Sequence, residues 1–163
     1  MIDDLYSTRL LELAGNISHI GRLKDAHASA SELSRLCGSK VTIDLKMEND
    51  VVTDFAHEVK ACALGQASSA IMAEHVVGAS GDELLELVKT MRAMLQENGA
   101  PPTGKWADCA LLLPVRAYKA RHASTLLTFE AVARAVREIR QNTSSKNTSK
   151  NTPKKNSSLA CNG

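Results

Sequence analysis

The sequence predicts an α+β fold in which helices cover one face of a small antiparallel sheet of about three strands. Residues 40–47 alternate apolar and polar side chains, and residues 51–59 alternate again after a short polar turn. Both flanks of this predicted β-hairpin contain stretches with the apolar spacing of helices. Because a hairpin alone is marginal in water, a further strand and the helices are needed to bury its apolar face.

The first predicted element is a short helix over residues 3–14, whose acidic start suits the positive end of a helix. A loop punctuated by Gly15, Asn16 and Gly21 follows it. Residues 28–36 fit either a strand or a helix, and they are the candidate third strand of the sheet.

The hairpin is predicted from two apolar faces and a turn. The apolar face of the first strand is formed by Val41, Ile43, Leu45 and Met47. The turn consists of Glu48, Asn49 and Asp50. The second strand is predicted to place Val51, Thr53, Phe55 and Val59 on one face.

Three helices are predicted after the hairpin. Residues 65–77 are small and apolar, which indicates a buried helix ended by Gly78. Ser80 and Glu83 form a capping box that opens a second helix, which stops before Pro101. A final helix is predicted over residues 117–140. Its apolar stripe comprises Leu126, Phe129, Val132, Ala133, Val136 and Ile139.

The composition changes abruptly after residue 140, so residues 1–140 are predicted to be one domain. Residues 141–163 consist largely of Asn, Ser, Thr and Lys, with four lysines and no acidic residue. They are predicted to form a disordered basic tail, because almost nothing there can be buried. A solvated tail is favoured over an RNA or membrane contact, since the tail has neither an aromatic side chain nor an apolar face.

Charge and composition exclude several classes of protein. The net charge is +2, and the four tail lysines leave about −2 on the rest, so the body is not a basic nucleic-acid platform. No segment reaches the roughly 18 apolar residues of a membrane span. The acidic start differs from a secretory signal. We therefore expect a cytoplasmic protein, in which four cysteines are ligands, reactive thiols or core residues before they are disulfides.

Two cysteines flank the predicted hairpin. Cys37 precedes its first strand and Cys62 follows its second, and the outer ends of antiparallel strands lie together. Gly38 allows a turn that exposes Cys37, and Ser39 is placed to hydrogen-bond it. Cys62 precedes a helix start, where unpaired N–H groups favour a thiolate. Each cysteine alone also fits a buried structural role, but a converging pair favours metal or sulfur chemistry. No cysteine pair has zinc-ribbon spacing, and spacing alone singles out none of the five histidines.

Three segments together resemble the NifU/IscU family of iron–sulfur cluster assembly scaffolds. These are Cys37-Gly38-Ser39-Lys40, Ala61-Cys62-Ala63-Leu64-Gly65-Gln66-Ala67-Ser68-Ser69 and Arg121-His122-Ala123-Ser124-Thr125-Leu126-Leu127. The resemblance covers about residues 3–140, and it implies a SufE/NifU-like fold with no enzymatic turnover. It implies that iron and sulfur bind at Cys37, Cys62 and His122, as a transient [2Fe–2S] cluster that is passed on to other proteins.

Two positions depart from the family pattern. Ser39 stands where the family has an Asp, and Ala123 stands where it has a third cysteine. Because such a cluster normally has four protein donors, a fourth is needed. The candidates are Cys109, Cys161, an external thiol or a second subunit of a homodimer. Zn²⁺ is an alternative occupant, since it accepts three protein donors and a water.

The resemblance also implies partners. They are a cysteine desulfurase, apo iron–sulfur proteins and a chaperone, for which Leu113-Pro114-Val115-Arg116 is a faint match. Nucleic acid and membrane are not expected partners. Two other functions stay open: a zinc-binding sulfur acceptor of a desulfurase, and a degenerate module that regulates cluster assembly. A hydrolase is disfavoured, since no Gly-rich phosphate loop is evident.

Overall fold

A computed structural model describes the chain from residue 6 to residue 162, with side chains described from residue 6 to residue 144. The elements in chain order are α1 (Thr8–Gly15), β1 (Ala28–Leu33), β2 (Lys40–Glu48), β3 (Val51–Lys60), α2 (Ala63–His75), α3 (Gly81–Gln96), two 3₁₀ helices (Gly104–Ala117 and Lys119–Arg121) and α4 (His122–Asn162).

The three strands form one antiparallel sheet in the order β1-β2-β3, which confirms the predicted α+β class. β1 settles most of the ambiguity of residues 28–36: Ala28 pairs with Leu45 and Leu33 pairs with Lys40, so residues 28–33 form a strand, and residues 34–36 lie outside it. The chain then turns before entering β2. The sequence of this segment alone does not decide between strand and helix. Pairing decides it, because β2 pairs with β1 along the whole length of β1.

The hairpin turn forms where it was predicted. Asn49 and Asp50 have φ angles of 53° and 62°, the left-handed pair that matches the twist of a two-residue hairpin. The guanidinium of Arg140 donates to the Asp50 carboxylate at 2.7 and 3.0 Å and to Asp82 at 3.0 Å. The turn is thereby tied to the start of α3 and to α4.

The predicted buried face of β3 is partly wrong. The pairing of β2 with β3 shifts between Lys46 and Met47. At this irregularity β3 has one extra residue relative to β2. The side chains at the start of β3 therefore point to the opposite faces from those that strict alternation predicts. The structure therefore buries Val52, whereas the predicted Val51 and Thr53 are exposed.

The helices lie on one face of the sheet, and α4 packs against β1, β2, α2 and α3. The largest fully buried side chains join the sheet to the helices: Leu10, Ile43, Leu45, Phe55, Leu64, Ile71, Met72, Leu84, Met91, Met94 and Phe129. Aliphatic, Met and two Phe side chains thus form the core, as the scarcity of aromatic residues predicts.

The Ser80 half of the predicted capping box is present at the start of α3, and the Glu83 side chain contacts other partners. The Ser80 hydroxyl accepts a hydrogen bond from the Glu83 N–H at 3.1 Å. The Glu83 carboxylate accepts from Trp106 Nε1 at 2.8 Å and lies 3.1 Å from Lys105 Nζ. The helix start therefore also holds the first 3₁₀ helix in place.

The last helix begins later than predicted, because 3₁₀ helices occupy the chain up to Arg121. α4 then continues to Asn162, through the stretch predicted to be a tail. Side chains beyond residue 144 lie outside the described part, so disorder of residues 141–163 stays a prediction. None of the helices within the described residues is both long and apolar enough to cross a bilayer.

A buried carboxylate fastens the loop before β1 to the outer face of the sheet. Asp44 is 1% exposed and receives two hydrogen bonds from Arg22, at 2.7 and 3.0 Å. The Leu23 N–H donates to it at 2.9 Å, and the Ser29 hydroxyl donates as well. Burial raises the pKa of Asp44, but the hydrogen bonds from Arg22, Ser29 and Leu23 together outweigh it and hold this pKa below its usual value.

A second buried titratable group lies on β3. The His57 ring is fully buried, with Nε2 2.8 Å from the Ser18 carbonyl oxygen and its centroid 4.8 Å from that of Phe55. Nδ1 has no hydrogen-bond partner in the described part of the chain. Burial therefore lowers the pKa of His57.

Asp44→Ala should lower the free energy of unfolding by about 2–4 kcal/mol, because it leaves the Leu23 N–H without its acceptor and removes the charged partner of the exposed Arg22 guanidinium. Urea unfolding measures the change. Glu58→Ala is the control: this exposed carboxylate lies 3.6 Å from the same guanidinium, and its loss should cost less than about 0.5 kcal/mol. Equal effects of the two substitutions would contradict the role given to Asp44.

The free energy of unfolding should decline as the pH falls below about 6.5. In the unfolded chain His57 then binds a proton, whereas burial lowers its pKa in the folded protein. His57→Phe should flatten this decline in urea unfolding, whatever its effect on absolute stability. His75→Gln should keep the wild-type pH dependence, because His57 is intact. A His57→Phe variant with an unchanged decline would refute the assignment.

Candidate thiol site

Cys37 and Cys62 lie at the same end of the sheet. The outer ends of the hairpin close with the Lys40–Lys60 pair, and the two cysteines flank that pair along the chain. The Cys62 N–H donates to Ser39 Oγ at 3.4 Å, and the same oxygen lies 3.0 Å from Cys37 Sγ. Ser39 therefore bridges the two cysteines.

A closed loop presents Cys37. The Ser34 N–H donates to the Ser39 carbonyl and the Gly38 N–H to the Ser34 carbonyl, both at 2.8 Å. Gly38 has a φ of 71°, a conformation that glycine adopts without strain. Ser34 and Ser39 are only 2% and 3% exposed, whereas Cys37 is exposed, with Sγ 3.5 Å from Ser34 Oγ.

The loop also changes the acidity of the thiol. Hydrogen bonding from the Ser34 hydroxyl, and then from the Ser39 hydroxyl, lowers the pKa of Cys37 to about 7. Slight burial acts in the opposite direction, and the Ser39 backbone and the Ser124 hydroxyl add smaller lowering effects. A substantial fraction of Cys37 is therefore thiolate at neutral pH, the form that attacks sulfur and binds metal.

Cys62 lies against the start of α4. It is the N-cap residue of α2, yet its side chain makes no cap hydrogen bond. Its Sγ lies 3.6 Å from Ser124 Oγ, which donates to the Arg121 carbonyl at 3.2 Å. Gly65 permits this approach, because a Cβ there would lie 2.7 Å from Ala61 Cβ and 3.2 Å from the Ser124 carbonyl oxygen.

His122 is the first residue of α4, and its side chain is buried. Its Nε2 lies 3.0 Å from the carbonyl oxygens of both Val115 and Arg116. Since a carbonyl can only accept, Nε2 carries the hydrogen, and a neutral ring has its lone pair on Nδ1. Metal-ligating histidines commonly have such a carbonyl partner on the other ring nitrogen. The ring is therefore in the tautomer that a ligand at Nδ1 requires.

The described residues hold one set of three ligating side chains whose donor atoms all lie within 4.8 Å of one another: Glu74, His75 and Asp108. This set contains no cysteine, and it lies at the end of α2 remote from Cys62. Cys37, Cys62 and His122 therefore do not form a set as compact as this one. The structure connects the two cysteines through Ser39, whereas the hydrogen bonds of His122 go to the Val115 and Arg116 carbonyls.

The other cysteines differ from this pair. Cys109 is fully buried in the core, and burial, followed by the Asp108 charge, raises its pKa to about 12. Such a thiol is a poor nucleophile and a poor ligand. The Cys161 side chain lies outside the described residues.

An open cavity of about 640 Å³ lies beside His122 and Ala123, between the end of α3 and the 3₁₀ helices. Its other lining residues are Leu95, Gln96, Asn98, Arg116 and Lys119. Ala123 is exposed at its edge, so a larger side chain at this position has room.

The family model for the NifU-like N terminal domain matches residues 5–125. The chain belongs to the NifU-like N-terminal domain family. The NifU-like protein (N-terminal) of Brucella abortus has a crystal structure that is 58% identical in sequence. It superposes with a TM-score of 0.85 over 86% of this chain and 97% of that chain. The predicted family and fold are thereby confirmed.

Curated relatives carry two descriptions. The iron–sulfur cluster assembly scaffold protein IscU of Thermotoga maritima is 27% identical over 135 residues, which cover 83% of this chain and 94% of that protein. The zinc-dependent sulfurtransferase SufU of Bacillus subtilis is 23% identical over 135 residues, which cover 83% and 91%.

Two residues of this NifU-like site were not found from the sequence. Ser34 and Ser124 contact the thiols: Ser34 lies outside the three family segments, and Ser124 lies within the third segment but was given no role there. Serine is common, and Ser124 arrives from an element far along the chain. Ser39, by contrast, was predicted to hydrogen-bond Cys37, and its hydroxyl lies 3.0 Å from that sulfur.

Alkylation of Cys37 by iodoacetamide should increase with pH about a midpoint near 7. Ser34→Ala removes the largest cause of the lowered pKa and should move the midpoint upward. Peptide mass spectrometry after short labelling measures both. Ser31→Ala is the control, since its hydroxyl contacts Thr42.

Cys109 should stay unlabelled until the protein is unfolded. A Cys37 midpoint near the ordinary cysteine value of about 8.5, unmoved by Ser34→Ala, would contradict the described loop geometry.

Proposed function

We propose that this NifU-like domain is an iron–sulfur cluster assembly scaffold. Cys37 and Cys62 receive sulfur and iron, His122 is the third donor, and the cluster is cargo that leaves for apo-proteins. The observation that carries the proposal is that Ser39 joins the two cysteines. Its Oγ lies 3.0 Å from the sulfur of Cys37 and 3.4 Å from the backbone nitrogen of Cys62. The protein binds and transfers; it has no turnover chemistry of its own.

The donor set suits a cargo better than a resident cofactor. A [2Fe–2S] cluster normally takes four protein donors, and Cys37, Cys62 and Nδ1 of His122 supply three. Cys37 is exposed and Ala123 opens onto a cavity. An incomplete and accessible set releases its cluster readily. An external thiol or a second copy of the chain in a homodimer supplies the fourth donor in this proposal.

The surroundings of Cys37 suit a protein that delivers sulfur. Leu36 is 77% exposed next to Cys37, and Leu33 is 56% exposed at the end of β1. Exposed apolar side chains beside a reactive group favour a protein contact. We assign this contact to a cysteine desulfurase in the cytoplasm. A chaperone partner stays a prediction, and the Leu113–Arg116 segment is packed into the fold by the hydrogen bonds from Arg116 to Met94 and Gly99.

A zinc-dependent sulfur acceptor is the second candidate. The observation that favours it is Ala123, which removes one sulfur donor, while Zn²⁺ is satisfied by three protein donors and a water. The similarity to the zinc-dependent sulfurtransferase SufU also supports this second candidate.

Anaerobic incubation with iron and sulfide should give a visible cluster chromophore that Cys37→Ala and Cys62→Ala each abolish. Cys109→Ala is the matched control and should keep the colour, because Cys109 is buried in the core. A chromophore retained in both site variants would refute the site. Zinc bound at one per chain without any chromophore would favour the sulfur acceptor.

Ala123→Cys should slow the loss of the cluster to a chelator by about tenfold, since it adds a thiolate donor at the open edge of the site. Ala123→Ser is the control and should release the cluster at the wild-type rate. The decay of visible absorbance after adding the chelator measures the effect. Equal decay in the cysteine variant would show that position 123 does not face the cluster.

A further inference from the structure

We propose that Glu74, His75 and Asp108 form a second metal site, which takes a divalent transition-metal ion such as Zn²⁺. Their donor atoms all lie within 4.8 Å of one another. His75 is the last residue of α2 and Cys62 is the N-cap of the same helix, so the cluster lies about 20 Å along the helix from that thiol. The inference goes beyond the proposed function and does not depend on it.

The donor atoms are close enough to share one ion. His75 Nε2 lies 3.7 Å from Glu74 Oε2, and two donors on a tetrahedral Zn²⁺ are about 3.4 Å apart, since each bond is about 2.1 Å long. Asp108 belongs to the first 3₁₀ helix, which packs against α2. None of the three side chains is fully buried, so small rotations bring the carboxylates to bonding distance and solvent supplies a fourth ligand.

The His75 ring is held by packing rather than by hydrogen bonds. It lies edge-on to Trp106, with ring centroids 5.7 Å apart and an interplanar angle of 74°. Trp106 is itself buried, and its Nε1 donates to Glu83 at 2.8 Å. Among the described residues neither His75 nitrogen has a hydrogen-bond partner, because the Glu74 carboxylate is beyond hydrogen-bonding distance. The imidazole is therefore oriented while its nitrogens stay available to a ligand.

The charge at this cluster favours a cation. Two carboxylates meet at the C-terminal end of α2, where the helix dipole is negative. Arg9 Nη2 lies 3.8 Å from Asp108 Oδ2, which is longer than a hydrogen bond, and the Arg9 side chain is 53% exposed. Arg9 therefore offsets one of the two negative charges, and only loosely.

The types of donor select the class of ion. Imidazole together with carboxylates suits Zn²⁺ and similar transition-metal ions, whereas Mg²⁺ and Ca²⁺ prefer sites made of oxygen alone. Zn²⁺ accepts three protein donors and a water, which is the number that Glu74, His75 and Asp108 provide. The cluster contains no sulfur, so it differs in chemistry as well as in place from the thiol site.

An ion at this cluster ties the first 3₁₀ helix to α2. That helix is 14 residues long, whereas 3₁₀ helices usually run for only three or four residues because their hydrogen bonds have poorer geometry. Trp106 and Arg116 already fasten it to α3 and the loop after it, by hydrogen bonds to Glu83, Met94 and Gly99. The metal adds the corresponding connection to α2, so binding should stabilise the folded chain.

Zinc titration of the Cys37→Ala, Cys62→Ala double variant by isothermal calorimetry tests this site apart from the thiols. We expect one Zn²⁺ per chain and a higher melting temperature with zinc than without it. Adding His75→Gln or Asp108→Asn should weaken binding by more than about tenfold and abolish the rise in melting temperature, because each removes a ligand atom. Thermal melting without metal checks that each variant is folded.

Glu138→Gln is the matched control in the same background, since it removes an exposed carboxylate from α4, which supplies no ligand. It should keep the zinc affinity. Arg9→Gln should tighten binding about two- to fivefold, because it removes a competing positive charge beside Asp108. A large excess of Mg²⁺ should leave the bound zinc in place.

No zinc binding in the folded double variant would overturn the inference, as would binding that His75→Gln and Asp108→Asn leave unchanged. An equal loss of affinity in Glu138→Gln would show general attraction to negative charge instead of a built site. Displacement of the zinc by Mg²⁺ would contradict the assigned class of ion, and weaker binding in Arg9→Gln would contradict the competition between Arg9 and the metal.

Discussion

The site depends on the register in which β2 pairs with β3. Lys40 opposite Lys60 closes the hairpin, and this pair fixes how far Cys37 and Cys62 are from each other. A slip of one residue would turn alternate side chains to the other face of the sheet and separate Ser39 from the Cys62 N–H. The irregularity between Lys46 and Met47 and the left-handed turn hold this register in place. Stability and function therefore share one constraint.

Much of the fold could be predicted from the sequence, because local patterns and tertiary packing agree there. The alternation in β2, the turn and the Ser80 cap each follow from a few neighbouring residues. The phase of β3 could not be predicted, since it depends on an extra residue that only pairing with β2 reveals. Residues 28–36 were ambiguous for a similar reason: a strand at the sheet edge is selected by its partner rather than by its own propensity.

The site was predictable to the extent that it lies on the hairpin. Antiparallel geometry brings Cys37 and Cys62 together whatever the details of the helices. The contribution of Ser124 comes from α4 and depends on the close approach at Gly65, which is a matter of three-dimensional packing. The hydrogen bonds of His122 depend on the first 3₁₀ helix, which contains Val115 and Arg116. Apolar periodicity in the sequence does not indicate this element.

Bifunctional labelling of the native protein with dibromobimane tests the convergence of the two thiols most directly, because it joins only sulfurs that lie close together. We expect an intramolecular bridge between Cys37 and Cys62 in the folded chain, seen by peptide mass spectrometry and lost when the protein is unfolded before labelling. Single adducts alone on these cysteines in the native protein, or a bridge to Cys109, would contradict it.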